Sequence, residues 1–327
     1  MVENQSGAGF SEALQARQIF QIGKEEKLGY SEYTATFPKA DGEISTIVFR
    51  DNVPSPYTTY MDGIVHTGSF MPKDIRPGSL PNVAISDTLA KSLQFVYAEE
   101  GCFDAVNSYD RGIFSYGFIQ FSGGMGGTLN DFMLLLKLKY PTTFEEYFGK
   151  YGIDVAEGSP RAIVSVLNTE ENTVLTGDAA WMYIMHSKQL TTAFIAAGSD
   201  LNVVSTQIEY IMYAYMNPAI NTLIDLEIGG NIYQGVPLHS VINSEMGVAA
   251  MMDLTIVMWV RKMGVLFKRA IEEVASEFGL TALDDVKNID ERAVIQKIVS
   301  FEETKVLTDR RLAKVLSSGM SFEKNTL

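Results

Sequence analysis

EEGCFDAVNSYDRGIFSYGFIQF, residues 99–121, brings carboxylates, aromatic rings and turn formers into a span that an ordinary core segment would not carry together. Upstream, Ser86 stands at an N-cap position, and Leu89, Leu93, Val96 and Tyr97 recur at helical spacing, which predicts a helix with one apolar face. Glu99 and Glu100 then fall in its last turn. A carboxylate there meets the negative end of the helix dipole, which favours its protonated form. Asn107-Ser108-Tyr109-Asp110-Arg111-Gly112 is a cluster of turn formers. Residues 113–121 then read as a strand, with Ser115, Gly117 and Ile119 on one face and Phe114, Tyr116 and Phe118 on the other. One acid ends a helix and a second opens a β-segment. Such a pair is the minimum apparatus for cleaving a glycosidic bond: one protonates the leaving oxygen, and the other activates water or attacks the anomeric carbon.

The pattern Glu100-Gly-x-Phe103, Asn107, then Tyr116-Gly117-Phe118-Ile119-Gln120 resembles the helix-ending Glu and downstream Gly-x-x-Gln of lytic transglycosylases and goose-type lysozymes. Asp110-Arg111-Gly112-Ile113-Phe114-Ser115-Tyr116-Gly117-Phe118 is similar to the Asp…Arg-Gly-x-Thr-x-Gly hairpin of chitosanases, a branch of the same lysozyme-like superfamily. Weaker support lies near residues 244–264. The Glu-to-Asp spacing is shorter than in chitosanases, and transglycosylases have no matching Asp. The resemblance implies Glu100 as general acid, Asp110 as general base and Ser115 in place of the Thr that helps hold the water. Tyr109, Arg111, Tyr116 and Gln120 are the candidate substrate contacts. Glu99 competes for the acid role, because a one-residue slip turns a side chain by about 100° on a helix. The implied fold is α+β and predominantly α-helical, lysozyme-like with a small β-hairpin element beside the catalytic helix. The implied activity is metal- and cofactor-free hydrolysis of a β-1,4-linked amino-sugar polymer, with peptidoglycan ahead of chitosan. The competing class is a non-catalytic binding or structural component of a phage or injection particle.

With 327 residues, 46% of them apolar and 20% charged, the chain has the composition of an ordinary globular protein. Its single Cys102 permits no intramolecular disulfide, and its three histidines show no metal-ligand spacing. A net charge of −14 argues against nucleic-acid binding, which needs clustered Lys and Arg, and an acidic surface steers cationic polymers. The N-terminus shows neither a basic n-region nor an apolar h-region, so no secretory signal peptide is expected. Delivery to a cell wall would then follow lysis, a phage or injection particle, or a dedicated secretion system. The apolar run 246–260 is interrupted by Asp253 and too short to span a bilayer.

Three segments are expected: 1–85, a β-hairpin and a Pro-rich loop; 86–267, the catalytic domain; and 268–327, a charged helical extension. Residues 1–28 read as a polar tail with a short helix at 11–18. Period-two patterns over 30–37 and 43–49, around Pro38-Lys39-Ala40-Asp41-Gly42, predict a hairpin. The loop 51–85 carries Tyr57, Tyr60, Met61 and Phe70, which suit stacking on sugar rings. Ser122-Gly-Gly-Met-Gly-Gly127 reads as a joint leading into a helix over 129–140, with Asp131 in its capping box. Beyond Gly177 the pattern predicts helices throughout, kinked at Pro218, with Glu245 and Asp253 either a buried cap and a hinge to Arg261 or a second wall of the substrate groove.

Overall fold

Lys24-Glu25-Glu26-Lys27, which reads as a tail, is the edge of a sheet. Charged side chains are what an outer strand needs to resist pairing with another chain, and here Lys24 pairs with Glu26 and Lys27 with Glu25. The computed structural model describes residues 7–39, 42–70, 78, 80–124, 127–301 and 305–324; the side chains of 7, 8, 97–100 and 305–310 stand outside that description.

Helix α1 (Gly7–Arg17) leads into β1 (Gln21–Lys27), β2 (Tyr30–Pro38) and β3 (Ile44–Arg50). Then come the two-residue β4 (Val65–His66), helix α2 (Asp87–Glu100), and three more two-residue strands, β5 (Val106–Asn107), β6 (Ser115–Tyr116) and β7 (Phe121–Ser122). Strands β1 to β7 pair antiparallel in sequential order. Next follow α3 (Thr128–Lys139), α4 (Pro141–Tyr147) and a three-stranded sheet of β8 (Ile153–Ala156), β9 (Ile163–Asn168) and β10 (Thr173–Thr176). Helices α5 (Asp178–His186), α6 (Lys188–Ala197) and α7 (Leu201–Ile211) run into a π-helical turn at Met212–Met216 and the short α8 (Asn217–Ile220). The hairpin β11 (Leu223–Ile228) and β12 (Asn231–Pro237) precedes α9 (Glu245–Glu277), α10 (Leu283–Val286), α11 (Glu291–Ser300) and α12 (Lys305–Ser317).

The expected fold class is therefore corrected: the chain is mixed, 47% helical and 20% strand, with a seven-stranded antiparallel sheet rather than a small hairpin beside a helical body. Four of the seven strands are two residues long, below the length at which periodicity can be read. The 30–37 and 43–49 hairpin is present as β2 and β3, with Pro38 opposite Ile44 and Tyr33 opposite Phe49. Residues 113–121 are not one strand, because β6 and β7 flank a tight turn closed by the Gln120 N–H to Gly117 carbonyl bond at 3.0 Å. The all-helical reading beyond Gly177 also fails at β11 and β12. There Ile224, Leu226 and Ile228 are buried in alternation with exposed Leu223, Asp225 and Glu227.

The chain divides into two compact units, Met1–Pro72 with Glu100–Gln207, and Lys73–Glu99 with Ile208–Leu327. The first unit holds both larger sheets around an aromatic core. Phe114 lies 5.6 Å from Trp181 and 4.8 Å from Phe194, and Phe121 stacks on Phe132 at 5.5 Å. Each such pair is worth about 0.5–1.5 kcal/mol beyond its buried area. Arg17 is buried there; its Nε donates to the Tyr151 carbonyl (2.9 Å), its Nη2 to the Leu167 carbonyl (2.6 Å) and its Nη1 to the Thr169 and Tyr183 hydroxyls (3.2 and 3.1 Å), so its polar atoms are satisfied.

In the second unit Ser86 caps α2 by accepting from the Leu89 N–H at 3.2 Å, as expected. Ser244 caps α9, accepting from the Gly247 N–H at 3.0 Å, while the buried Glu291 carboxylate accepts from the Asn243 N–H (2.9 Å) and the Ser244 hydroxyl (2.6 Å). Asp253 pairs with Arg311, whose Nη2 lies 2.6 Å from Oδ1, and not with Arg261. Trp259, at φ 68°, breaks α9 into two helical stretches. Pro218 sits in the first turn of α8, directly after the π-helical turn that absorbs the kink. No helix among the described residues is long and apolar enough to cross a membrane.

Candidate functional site

Strands β5, β6 and β7 set up the site through register. Asn107 lies opposite Ser115, and Ser115 opposite Ser122; one step along, Val106 lies opposite Tyr116, and Tyr116 opposite Phe121. Side chains of one cross-strand row share a face and neighbouring rows point oppositely. One face thus carries the polar row Asn107, Ser115 and Ser122. The other carries Val106, Tyr116 and Phe121 into the aromatic core.

Asp110 stands in the turn between β5 and β6. Its Oδ1 accepts from the Gly112 N–H at 2.8 Å and its Oδ2 from Asn107 Nδ2 at 3.1 Å, while Asn107 Oδ1 accepts from the Tyr109 N–H at 3.2 Å. The carboxylate is half-buried and held from both sides, a fixed acceptor facing the polar row. A side chain built onto Gly112 would place its first carbon 3.0 Å from Asp110 Oδ1, 3.0 Å from Ser122 Oγ and 3.1 Å from Ser115 Oγ. Asp110 and Ser115, expected to act together, are therefore brought together.

The other expected residues are placed as follows. Tyr109 is half-buried and its carbonyl accepts from the Thr59 and Tyr60 N–H groups at 2.6 and 2.9 Å, which fastens the Pro-rich loop to the turn. Ser108 reinforces this, its Oγ accepting from the Ile64 N–H and its N–H donating to the Ile64 carbonyl, both at 2.9 Å. Gly63 packs so closely that an added Cβ would lie 2.2 Å from the Ser108 carbonyl oxygen. Tyr57 and Met61 are exposed in this loop. Arg111 is exposed. Tyr116 has no exposed surface and lies between Phe132 and Phe194, so its place among the substrate contacts is corrected: it is core. Gln120 turns back on its own loop, donating to the Gly117 carbonyl at 2.8 Å. Glu100 is the last residue of α2; its side chain and that of its competitor Glu99 lie outside the described residues.

The glycine-rich run owes its composition to close approach. An added Cβ would fall 2.6 Å from the Trp181 ring at Gly123, 2.8 Å from the Gly112 carbonyl at Gly124 and 2.0 Å from the Ser122 carbonyl at Gly127. Asp131 pairs with Arg161 and accepts from the Ala162 N–H at 3.0 Å. Gly117, at φ +78°, lies where a Cβ would meet Gln207 Oε1 at 2.2 Å, and Gln207 Nε2 donates to the Phe103 carbonyl at 2.9 Å. Gly117→Ala should therefore lower stability by about 2 kcal/mol, combining left-handed strain with overpacking, and a thermal melt reads this as a fall in Tm.

Cys102 is buried, and burial together with nearby Asp104 pushes its thiol up, which suits a packed side chain rather than a nucleophile. No group of three or more His, Cys, Asp or Glu among the described residues could hold a metal ion. Sequence reasoning missed Ser122 and the support role of Asn107. The signal was the polar residue directly after Phe121, which only the pairing of β6 with β7 turns into a neighbour of Ser115. No protein-family description matches the chain, and neither a curated protein nor a solved structure matches it.

Proposed function

We propose that this protein is a glycoside hydrolase that cleaves a β-1,4-linked amino-sugar polymer, peptidoglycan in the first place, by general acid and base catalysis. The observation that carries the reading is the Asp110 carboxylate, half-open and held by Asn107 and the Gly112 N–H beside the Ser115 hydroxyl. A base whose lone pairs are aimed before substrate arrives needs no reorganisation in the transition state. Glu100, ten positions upstream at the end of α2, is the proton donor in this reading, and Ser115 steadies the water.

The experiment is reducing-end release from purified peptidoglycan and from chitosan by the wild-type chain and Glu99→Gln. Release from peptidoglycan by both proteins is expected. Loss in Glu99→Gln would move the acid role to that residue. The net charge of −14 favours chitosan as the second substrate, and release from that cationic polymer should fall steeply with added salt. Binding to either polymer without release would replace the hydrolase reading with that of a non-catalytic carrier.

A further inference from the structure

A cavity of about 410 Å³ opens in the first unit, and none of Asn107, Asp110, Ser115 or Ser122 lines it. That volume lies within the roughly 300–1,000 Å³ of small-molecule sites. Part of its wall is aromatic: Phe20 packs edge-on against Phe37 and at a tilt against Tyr151, both at 5.2 Å. Another part offers hydrogen-bond acceptors. The buried Asp104 lines it, and the Ser69 hydroxyl commits its hydrogen to Asp104 (3.1 Å) as the Ser199 hydroxyl does to the Ala196 carbonyl (3.1 Å), so each presents lone pairs. Ile195 and Ala196 add the last turn of α6, the negative end of its dipole. The cations stand at the mouth. Lys39 and Lys150 are exposed, Lys39 at 3.7 Å from Glu43 and Lys150 over the Tyr151 ring at 5.0 Å, and the exposed Glu146 offsets one of them. Tyr147, pushed up to about 12 chiefly by burial, stays a phenol that can donate.

We propose that this cavity binds a zwitterionic α-amino acid with an apolar side chain. The ammonium group donates to Ser69 Oγ and Ser199 Oγ in the field of Asp104, the carboxylate meets Lys39, Lys150 and the Tyr147 hydroxyl, and the side chain lies on the Phe20 and Phe37 rings. A ligand carrying a cation alone would leave the two lysines without a counter-charge. One carrying an anion alone would face Asp104 and the lone pairs of two hydroxyls with nothing to donate. An α-amino acid holds both charges a few bonds apart, and the lysine stems are long and flexible enough to follow its carboxylate. Binding here makes and breaks no covalent bond, so it stands or falls apart from the hydrolase reading.

The test is titration calorimetry of the full chain with L-phenylalanine and L-leucine, and with two compounds that each lack one charge of phenylalanine: phenethylamine, without the carboxylate, and 3-phenylpropionate, without the ammonium. Phenylalanine or leucine should bind one to one, and each single-charge compound at least about tenfold more weakly than phenylalanine, the loss of one charge-assisted contact. Two variants assign the ends. Lys150→Met keeps the apolar stem and should weaken phenylalanine and 3-phenylpropionate about tenfold while leaving phenethylamine unchanged. Ser199→Ala should weaken phenylalanine and phenethylamine and leave 3-phenylpropionate unchanged. Both positions are exposed, so neither substitution endangers the fold, and matched thermal melts check this. No heat of binding with either amino acid at millimolar concentration overturns the proposal. So does a single-charge compound that binds as tightly as phenylalanine, or amino-acid binding that neither variant weakens.

Discussion

Asp110→Asn is expected to slow polymer cleavage by about 10²–10⁴-fold, the range a positioned general base contributes. An amide keeps the size of the side chain and can still accept from Asn107 Nδ2 or the Gly112 N–H, so the turn should fold as before. It takes up no proton from water. Glu100→Gln should cost a comparable factor by withholding the proton from the leaving oxygen. The double variant should be little slower than the worse single one, because groups that act as a unit are not additive. Reducing-end release by the four proteins, with matched thermal melts, checks this. An Asp110→Asn protein that cleaves at the wild-type rate would remove the base from the mechanism.

Asp104→Ala should lower the stability of the first unit by about 3 kcal/mol, since it strips the acceptor from several donors at once. Asp104 is buried at 4% exposure, and its oxygens accept from the Ser69 N–H (2.9 and 3.0 Å), the Ser69 hydroxyl (3.1 Å) and the Phe70 N–H (3.1 Å). His66 Nε2 stands 3.5 Å from Oδ2, too far for a good hydrogen bond and close enough for a charge contact. Gly68 and Gly198 close over the carboxylate; an added Cβ at either would fall 2.4 Å from Asp104 Oδ1 or 2.3 Å from its Cα. Urea unfolding should show a lower midpoint with an unchanged slope.

The same residue sets an acid limit. Burial alone pushes the Asp104 carboxyl up, but the neighbouring His66 and the Ser69 and Phe70 N–H groups outweigh it and hold the carboxyl below its ordinary value. The unfolded chain, with Asp104 near 3.9, takes up the proton first as pH falls. This stabilisation is therefore complete above about pH 4 and drains away as pH drops through the depressed folded value. Asp104→Asn should flatten the fall of stability in that window. An unchanged acid limb would place the sensitivity elsewhere.

The β2 and β3 hairpin was readable because Tyr33 and Ala35 alternate with half-exposed neighbours around a turn of Pro, Asp and Gly. The helix ending at Glu100 was readable from Ser86 and the spacing of Leu93 and Val96, both buried. Strand β1 was not, since its charges answer an edge position that exists only once β2 has formed. The signal for β11 was present in its alternation and in Gly229-Gly230, but a preceding helical pattern masked it. Tyr116 was misassigned because alternation tells which residues share a face and not which face the core covers.

From the sequence alone follow the local features, whose causes lie within a few residues: the hairpin, the capped helix, and the Asn107 to Gly112 turn with Asp110 tied to its own neighbours. Only the tertiary structure decided the pairings between distant segments. It chose Arg311 over Arg261 for Asp253, joined Val65 to Asn107 across the sheet, and set Ser122 beside Ser115 with Tyr116 turned into the core. Helical and strand periods repeat every few residues and so specify faces. The partner that each face meets is selected by long-range packing, where burial and register act on the whole chain together.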